Sequence, residues 1–441
     1  MGAVQRIRFY ATSEVVTPAA VDGLLKELRP RLEDATVVEC AFKALFVLVK
    51  ERGYAQLVFD AGGAELVSRA LGIHGADLRL APHALNVLVS MVADLSDAAL
   101  SAFGGLADTV QAVVAALHIH RSDLDIFLSC CDILFLLCSR RRAGKMVMCS
   151  NVAEQAVEVL LLAVSNPSSS VSRNHTFKAV RTLMALTVNV TVANCAAAAG
   201  CIELVVAVLR HRDFASDSVI HEVGCSTLSN VCLGAEPRHI DACGIVEATF
   251  ESLRRFPGNS KVQASGLRLL WIHHGWLKGS ALDSDRLGPD AVQAALHAMR
   301  MCCLEINSRG TVEGDVGASL ADALHVALEL LTSLNGTNAS SWMLPLLDEP
   351  ATAALLKCAL RWLDLRHEHL SSAGMRAFVL RITQGACYGC GELQNEKMKR
   401  CARCGSAAYC SSACQHRHWP EHKRECKRQM THAAAGARDA K

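Results

Sequence analysis

Cys201-Ile-Glu-Leu-Val-Val-Ala-Val-Leu, followed by Cys225-Ser-Thr-Leu-Ser-Asn-Val-Cys-Leu-Gly, is the stretch from which the fold of most of this chain is read. The first run spaces its apolar residues as Leu/Val-x-x-Val/Leu-x-x-Leu, the stripe of a helix with one buried face. The second run is apolar almost all round, as expected of a helix covered by neighbours on both sides. A short turn with a small residue, Gly200, introduces the pair.

Working outward, the same unit recurs. Towards the N-terminus stand Asn151-Val-Ala-Glu-Gln-Ala-Val-Glu-Val, Gly105-Leu-Ala-Asp-Thr-Val-Gln-Ala-Val and Gly63-Ala-Glu-Leu-Val-Ser-Arg-Ala-Leu. Towards the C-terminus stand Gly244-Ile-Val-Glu-Ala-Thr-Phe-Glu-Ser-Leu and Gly288-Pro-Asp-Ala-Val-Gln-Ala-Ala-Leu. Their starts lie roughly 42 to 50 residues apart, the range for solenoid repeats of two or three helices. Longer apolar helices follow the starts, as in Ala84-Leu-Asn-Val-Leu-Val-Ser-Met-Val, Cys131-Asp-Ile-Leu-Phe-Leu-Leu-Cys and Ala179-Val-Arg-Thr-Leu-Met-Ala-Leu. Residues 302–317 read as a loop insertion within a repeat, and 371–384 as a last helix.

The span Cys225–Gly244, ending Arg-His-Ile-Asp-Ala-Cys-Gly, resembles the end of one armadillo repeat running into the next. The resemblance extends over about residues 14 to 385, with this one repeat close to the family pattern and HEAT-like packing as the alternative. It implies an all-α, armadillo-like superhelical solenoid with a long binding groove. Import receptors of that family carry a ladder of Asn on successive inner helices. Here Asn230 takes such a place, but Ser90, Leu136, Ala185 and Trp271 stand at the corresponding ones, which argues against import cargo.

Composition agrees with helices. Of 441 residues 51% are hydrophobic but only 5% aromatic, and small aliphatic side chains suit close helix packing better than a β-sandwich. The net charge of +2 points neither to nucleic acid nor to an anionic surface. It is unevenly spread: Cys387–Lys441 carries eleven Lys/Arg against five Asp/Glu, which leaves residues 1–386 at about −4. This places a domain boundary near 386, with a solenoid over 1–385, a small module over 386–428 and a disordered tail over 429–441.

Twenty cysteines divide the same way. Thirteen are scattered through apolar stretches, where free cysteine behaves as a small buried hydrophobe. So many unpaired thiols read as a reducing compartment, cytoplasmic and/or nuclear. The opening Met-Gly-Ala-Val-Gln-Arg has Arg6 where a myristoylation site wants Ser or Thr, and it is no signal peptide. Thr182–Val208 has one charge, Glu203, yet Asn189, Asn194, Gly200 and the repeat register argue against a membrane span.

The other seven cysteines form a metal pattern. They read Cys387-x2-Cys390, ten residues, Cys401-x2-Cys404, five residues, Cys410-x3-Cys414, then His422-x3-Cys426. Eight ligands make two tetrahedral zinc sites with none left over and no open position, so the zincs are structural rather than hydrolytic. Each Cys-x2-Cys is a tight turn aiming two sulfurs at one metal, and each i,i+4 pair lies on one face of a helical turn. A segment this short buries too little apolar area to fold without its metal. His416 and His418 read as surface residues, since His418 lies two helical turns from Cys426.

This ligand order, with Tyr409-Cys410, Cys414-Gln415 and His418-Trp419, resembles the MYND finger family at every ligand position. The resemblance implies interleaved sites, with Cys387, Cys390, Cys410 and Cys414 on one zinc and Cys401, Cys404, His422 and Cys426 on the other. It also implies capture of short proline-containing peptides, with Gln415 and Trp419 as the contacts. Proline-rich segments are extended in advance and lose little entropy on binding. The finger's nine Lys/Arg over four Asp/Glu are largely offset by seven thiolates and two Zn2+, which weakens a nucleic-acid reading.

Other motifs carry less. His118/His120, His273-His274 and His367-Glu368-His369 lack the His-Glu-x-x-His spacing of a zinc protease. Arg140-Arg141-Arg142 with Lys145 reads as solvated loop charge before it reads as a nuclear-import signal. Asn174-His175 faintly echoes a SET methyltransferase motif without the strands that such a domain needs. The sequence therefore reads as a zinc-binding adaptor and not an enzyme, with a nuclear corepressor-type factor and a SET-like methyltransferase as alternatives.

Overall fold

The computed structural model describes residues 2–12, 17–51, 53–148, 151–165, 173–233, 242–277, 288–309 and 314–335, scattered positions over 352–359, and in the C-terminal module 399–403, 408–420, 422, 423 and 426. The chain forms two compact units, Met1–Ile245 and Val246–Lys441.

The first unit opens with α1 (Ala3–Thr12), α2 (Pro18–Leu28) and α3 (Ala35–Phe46). Four three-helix groups follow. They are α4 (Ala55–Asp60), α5 (Gly63–His74) and α6 (Ala81–Asp94); α7 (Asp97–Ala102), α8 (Leu106–Ile119) and α9 (Leu124–Cys138); α10 (Ala143–Met148), α11 (Asn151–Ser165) and α12 (Arg173–Leu186); α13 (Val190–Ala198), α14 (Cys201–Arg210) and α15 (Ser218–Cys232). The long apolar helices α3, α6, α9, α12 and α15 each pack on the next, while α5, α8, α11 and α14 form a second row. The leading helix of each group has only six to nine residues, too short to display a helical period, and sequence periodicity does not reveal it.

Local chemistry sets where each helix starts. Asp123, Asn189 and Asp217 cap α9, α13 and α15 by accepting from backbone N–H groups of their first turns. Gly62 and Gly200, just before α5 and α14, have φ of +83° and +88°, which explains the small residue at these turns. Buried polar atoms then tie one group to the next. Thr182 Oγ1 donates to the Cys131 carbonyl at 3.2 Å, and Thr227 Oγ1 to the Val180 carbonyl at 3.3 Å. The His74 and His120 rings, at the ends of α5 and α8, reach the carbonyls of Leu32 and Gly75 at 2.7 and 2.5 Å. His120 is thus a repeat-to-repeat link.

Asn230 is tied in the same way, donating to the Met184 carbonyl at 3.0 Å and to Thr187 Oγ1 at 3.4 Å. Arg140 donates to the carbonyls of Val92 and Ala93 at the end of α6, and Asp97 accepts from the N–H groups of Arg142 and Ala143. That arginine loop staples two groups together. Of the scattered cysteines, eight are buried and four half-buried among the described residues. Burial pushes the thiols of Cys131, Cys138, Cys201, Cys232 and Cys302 up to about 12, so they pack as neutral hydrophobes.

Thr182–Val208 is broken into α12, α13 and α14, and among the described residues no single helix is long and apolar enough to cross a membrane. His175 sits in α12 against the Phe127 ring at 3.7 Å, so Asn174-His175 lies in a helical setting.

The boundary falls at the first residue of α16 (Ile245–Arg255), and the second unit holds the rest of it with α17 (Ser260–Leu277), α18 (Gly288–Arg309) and α19 (Gly314–Asn335). The last three pack mutually around a core that includes Leu267, Met299, Leu324 and Leu331. The loop insertion expected over 302–317 is corrected here: α18 runs on to Arg309, because Cys302, Cys303 and Ile306 face that core and extend its stripe. The helix expected over 371–384 and the tail over 429–441 lie outside the described residues.

Candidate metal centre

The C-terminal module begins with two short antiparallel strands, β1 (Lys399–Arg400) and β2 (Ala408–Tyr409), paired Lys399 to Tyr409 and Arg400 to Ala408. Cys401 follows β1 at the turn end of this hairpin, and Cys410 follows β2 at its open end. At the rise of an extended strand the two lie roughly 10 Å apart along the hairpin. Ligands that are close in sequence are therefore delivered to different places.

Residues 412–420 are helical. Ser411 starts them, its Oγ accepting from the Cys414 N–H at 3.2 Å and its carbonyl from the Gln415 N–H at 3.2 Å. This first turn sets Cys410 Sγ and Cys414 Sγ 3.5 Å apart. Elsewhere Cys401, His422 and Cys426, all buried, bring one ligand atom each within 4.8 Å of one another. The Cys401 and Cys426 sulfurs are 3.9 Å apart.

These spacings fit zinc. Four ligands tetrahedrally around zinc at Zn–S of about 2.3 Å have sulfurs about 3.8 Å apart. A disulfide would need about 2.05 Å. Two sulfurs and an imidazole leave one corner of a tetrahedron, and Cys404 lies three residues from Cys401. Cys387, Cys390 and Cys404 fall outside the described residues, so the structure brings together Cys401, His422 and Cys426, and separately Cys410 and Cys414.

Around the metal ligands packs a small aromatic core that ligand spacing alone does not disclose. Tyr409, 1% exposed, is its centre. Its hydroxyl shares a hydrogen bond with His418 Nδ1 at 3.0 Å, and its ring lies edge-on to His422 at 6.2 Å. His418 stacks on His422 at 5.8 Å, which corrects the reading of His418 as a surface residue. His416 is exposed, as expected, with Nδ1 2.8 Å from the Ser412 carbonyl. Trp419 is half-buried, edge-on to His422 at 6.0 Å, with the Arg403 guanidinium 5.7 Å from its ring centre. Gln415 is half-buried one turn earlier. Trp419 thus braces a ligand with one side of its ring and keeps part of it accessible.

A compact module with clustered cysteine and histidine ligands, one short hairpin and one helix is a structural metal-binding finger. The MYND finger family model matches residues 387–426, and the chain carries a MYND finger there. Histone-lysine N-methyltransferase SMYD3 of Homo sapiens is 57% identical over 35 residues, and that of Mus musculus 53% over 34. Each match covers 8% of this chain and 8% of the relative, so the likeness is confined to a finger-sized segment. Two solved structures are similar over longer spans. One is an engineered protein, with 21% identity, TM-score 0.45 and coverage of 58% of this chain and 97% of that one. The other comes from work on the phosphorylation switch controlling the interaction between cadherin and beta-catenin, with 15% identity, TM-score 0.41 and 86% of each chain covered. At these TM-scores neither passes on a fold or a function.

Proposed function

We propose that this protein is a zinc-dependent protein–protein interaction adaptor. The observation that carries it is the buried Cys401–His422–Cys426 cluster within a matched MYND finger, a protein-interaction module. In this reading the finger holds two structural zincs, one on Cys387, Cys390, Cys410 and Cys414, the other on Cys401, Cys404, His422 and Cys426. Gln415 and Trp419 take a short proline-containing peptide, the accessible part of the Trp ring serving as an apolar platform. Residues 1–385 form an armadillo-like solenoid whose groove holds a second protein, so that two partners meet on one chain. The packing of each long apolar helix on the next supports that arrangement. The protein works in the cytoplasm and/or nucleus without enzymatic activity of its own.

The test is binding of the zinc-loaded full chain to an array of proline-containing peptides, beside Trp419→Ala. Selective binding that falls by about 2 kcal/mol, roughly thirtyfold, in a variant still holding two zincs supports the peptide reader. Equal binding by both forms, or none by either, refutes it.

A further inference from the structure

The second unit contains a trough along one side of α18. A cavity of about 560 Å³ is bounded by α16, the start of α17 and α18, and a second of about 450 Å³ continues along α18 towards its C-terminal end. Pro257 and Gln263 line both. From Asp290 to Ser308 the lined length of α18 is about 27 Å at 1.5 Å per residue. Gln293, His297, Arg300, Leu304 and Ser308 form one helical stripe along it, and all five are exposed.

The chemistry of the trough is uneven. Its first half has an apolar floor of Phe250, Leu253 and Leu296 beneath three basic side chains, Arg254, His297 and Arg300. Arg254 lies in the last turn of α16, where a cation complements the helix dipole. Arg300 is mid-helix and has no such reason to be there. Neither guanidinium has an anionic partner among the described residues. Asp290 is the one acid among the described residues lining this half, and Glu305 lies in the second half. There Leu304, 57% exposed, offers an apolar contact on the same stripe.

Gln263 joins the two halves of the trough. It is 2% exposed, and its amide nitrogen is fully committed, donating to the carbonyls of Leu253 at 2.9 Å and Phe256 at 3.0 Å. Its Oε1 has no donor among the described residues, yet the side chain lines both cavities. At the wall of the cleft this carbonyl can accept from water or from an incoming N–H group.

We propose that this trough is a docking site for an acidic, leucine- or phenylalanine-bearing peptide segment of a partner protein. The apolar side chains enter between α16 and α18, the carboxylates lie against Arg254, His297 and Arg300, and a backbone or side-chain N–H meets Gln263. Nucleic acid fits less well, because the floor is mostly aliphatic and, among the described residues, only two arginines line the trough to neutralise a run of phosphates. The proposal rests on the adaptor reading and locates its second partner surface in the C-terminal helices.

The experiment uses the zinc-loaded full chain and a fluorescein-labelled Asp-Glu-Asp-Leu-Phe-Asp-Glu-Leu-Leu peptide, read by anisotropy. The double variant Arg254→Glu/Arg300→Glu should weaken binding by about tenfold or more, with unchanged helical circular dichroism. The same peptide with Lys at every acidic position should reject the wild type and bind the double variant. Leu304→Asp should also weaken the acidic peptide, while Trp419→Ala should leave it unchanged. Equal binding by wild type and double variant overturns the proposal, as does no binding to the wild type. Preferential capture of a single-stranded oligonucleotide overturns it too. If this peptide fails while proline peptides still bind the finger, the trough falls and the adaptor reading stands.

Discussion

A buried cysteine means one thing in the helical repeats and another in the finger. Cys131 and Cys201 are fully buried, and a thiolate there would be stripped of water. Their protons are held to about 12, and they serve as small packing groups. Cys401 and Cys426 are buried equally deeply, but their sulfurs face each other at 3.9 Å beside His422. There a zinc ion would take the place of both protons, and burial would strengthen the site by excluding water. Burial alone therefore decides nothing about a cysteine; the neighbouring atoms do. The same contrast holds for stability, which in the repeats is spread over many apolar contacts and in the finger is concentrated on a few metal bonds.

The largest test of that contrast is metal removal. Structural zinc in small fingers contributes on the order of 10 kcal/mol of folding free energy. A strong chelator, or Cys401→Ala or His422→Ala, should abolish amide-exchange protection around Cys401–Cys426 while α9 and α12 stay protected. A protected finger without zinc would break the comparison. Next comes the core of the repeats. Phe127 is fully buried on α9, and Phe127→Ala should destabilise the helices by about 3–5 kcal/mol in thermal or urea unfolding. Zinc content per chain should stay unchanged where that variant is still folded.

Alkaline pH gives a smaller, graded effect whose sign is fixed. In unfolded chains the thiols ionise near pH 9, whereas the buried ones hold their protons to about 12. The folded state thus binds more protons between these values, so its thiol-linked stability is complete below pH 9 and is lost as pH rises towards 12. Cys201→Ala should flatten the fall of the thermal midpoint between pH 9 and 11; identical slopes would show that this thiol ionises freely in the fold. The smallest effect is local. Asp123→Ala removes the cap of α9 and should lower stability by about 1 kcal/mol without touching zinc content.

Much of this was legible before any coordinates. The apolar stripes of α5, α8, α11 and α14 stand where the repeat starts place them, because a helix with one buried face must repeat that face every turn. The short helices α4, α7, α10 and α13 were not legible, since six to nine residues held by their neighbours carry no period of their own. The continuation of α18 to Arg309 is hidden in the sequence because Ser, Arg and Asn residues near its end resemble a loop, and only Cys302, Cys303 and Ile306 against the core reveal the helix. The place of His418 is not legible in the sequence, because spacing from Cys426 speaks of metal reach and not of a neighbour such as Tyr409.

What the sequence determined by itself is chemistry that depends on spacing along the chain: helical repeats, cysteines scattered through apolar stretches and a finger with metal-ligand spacing. Tertiary structure decided what depends on meeting across the chain. It set Cys401 beside His422 and Cys426, turned His120 and Asn230 into links between repeats, and gathered Arg254, His297 and Arg300 along one half of a trough. Periodicity is a local property that a chain carries unfolded. A contact between residues twenty or more apart exists only once the backbone has brought them together.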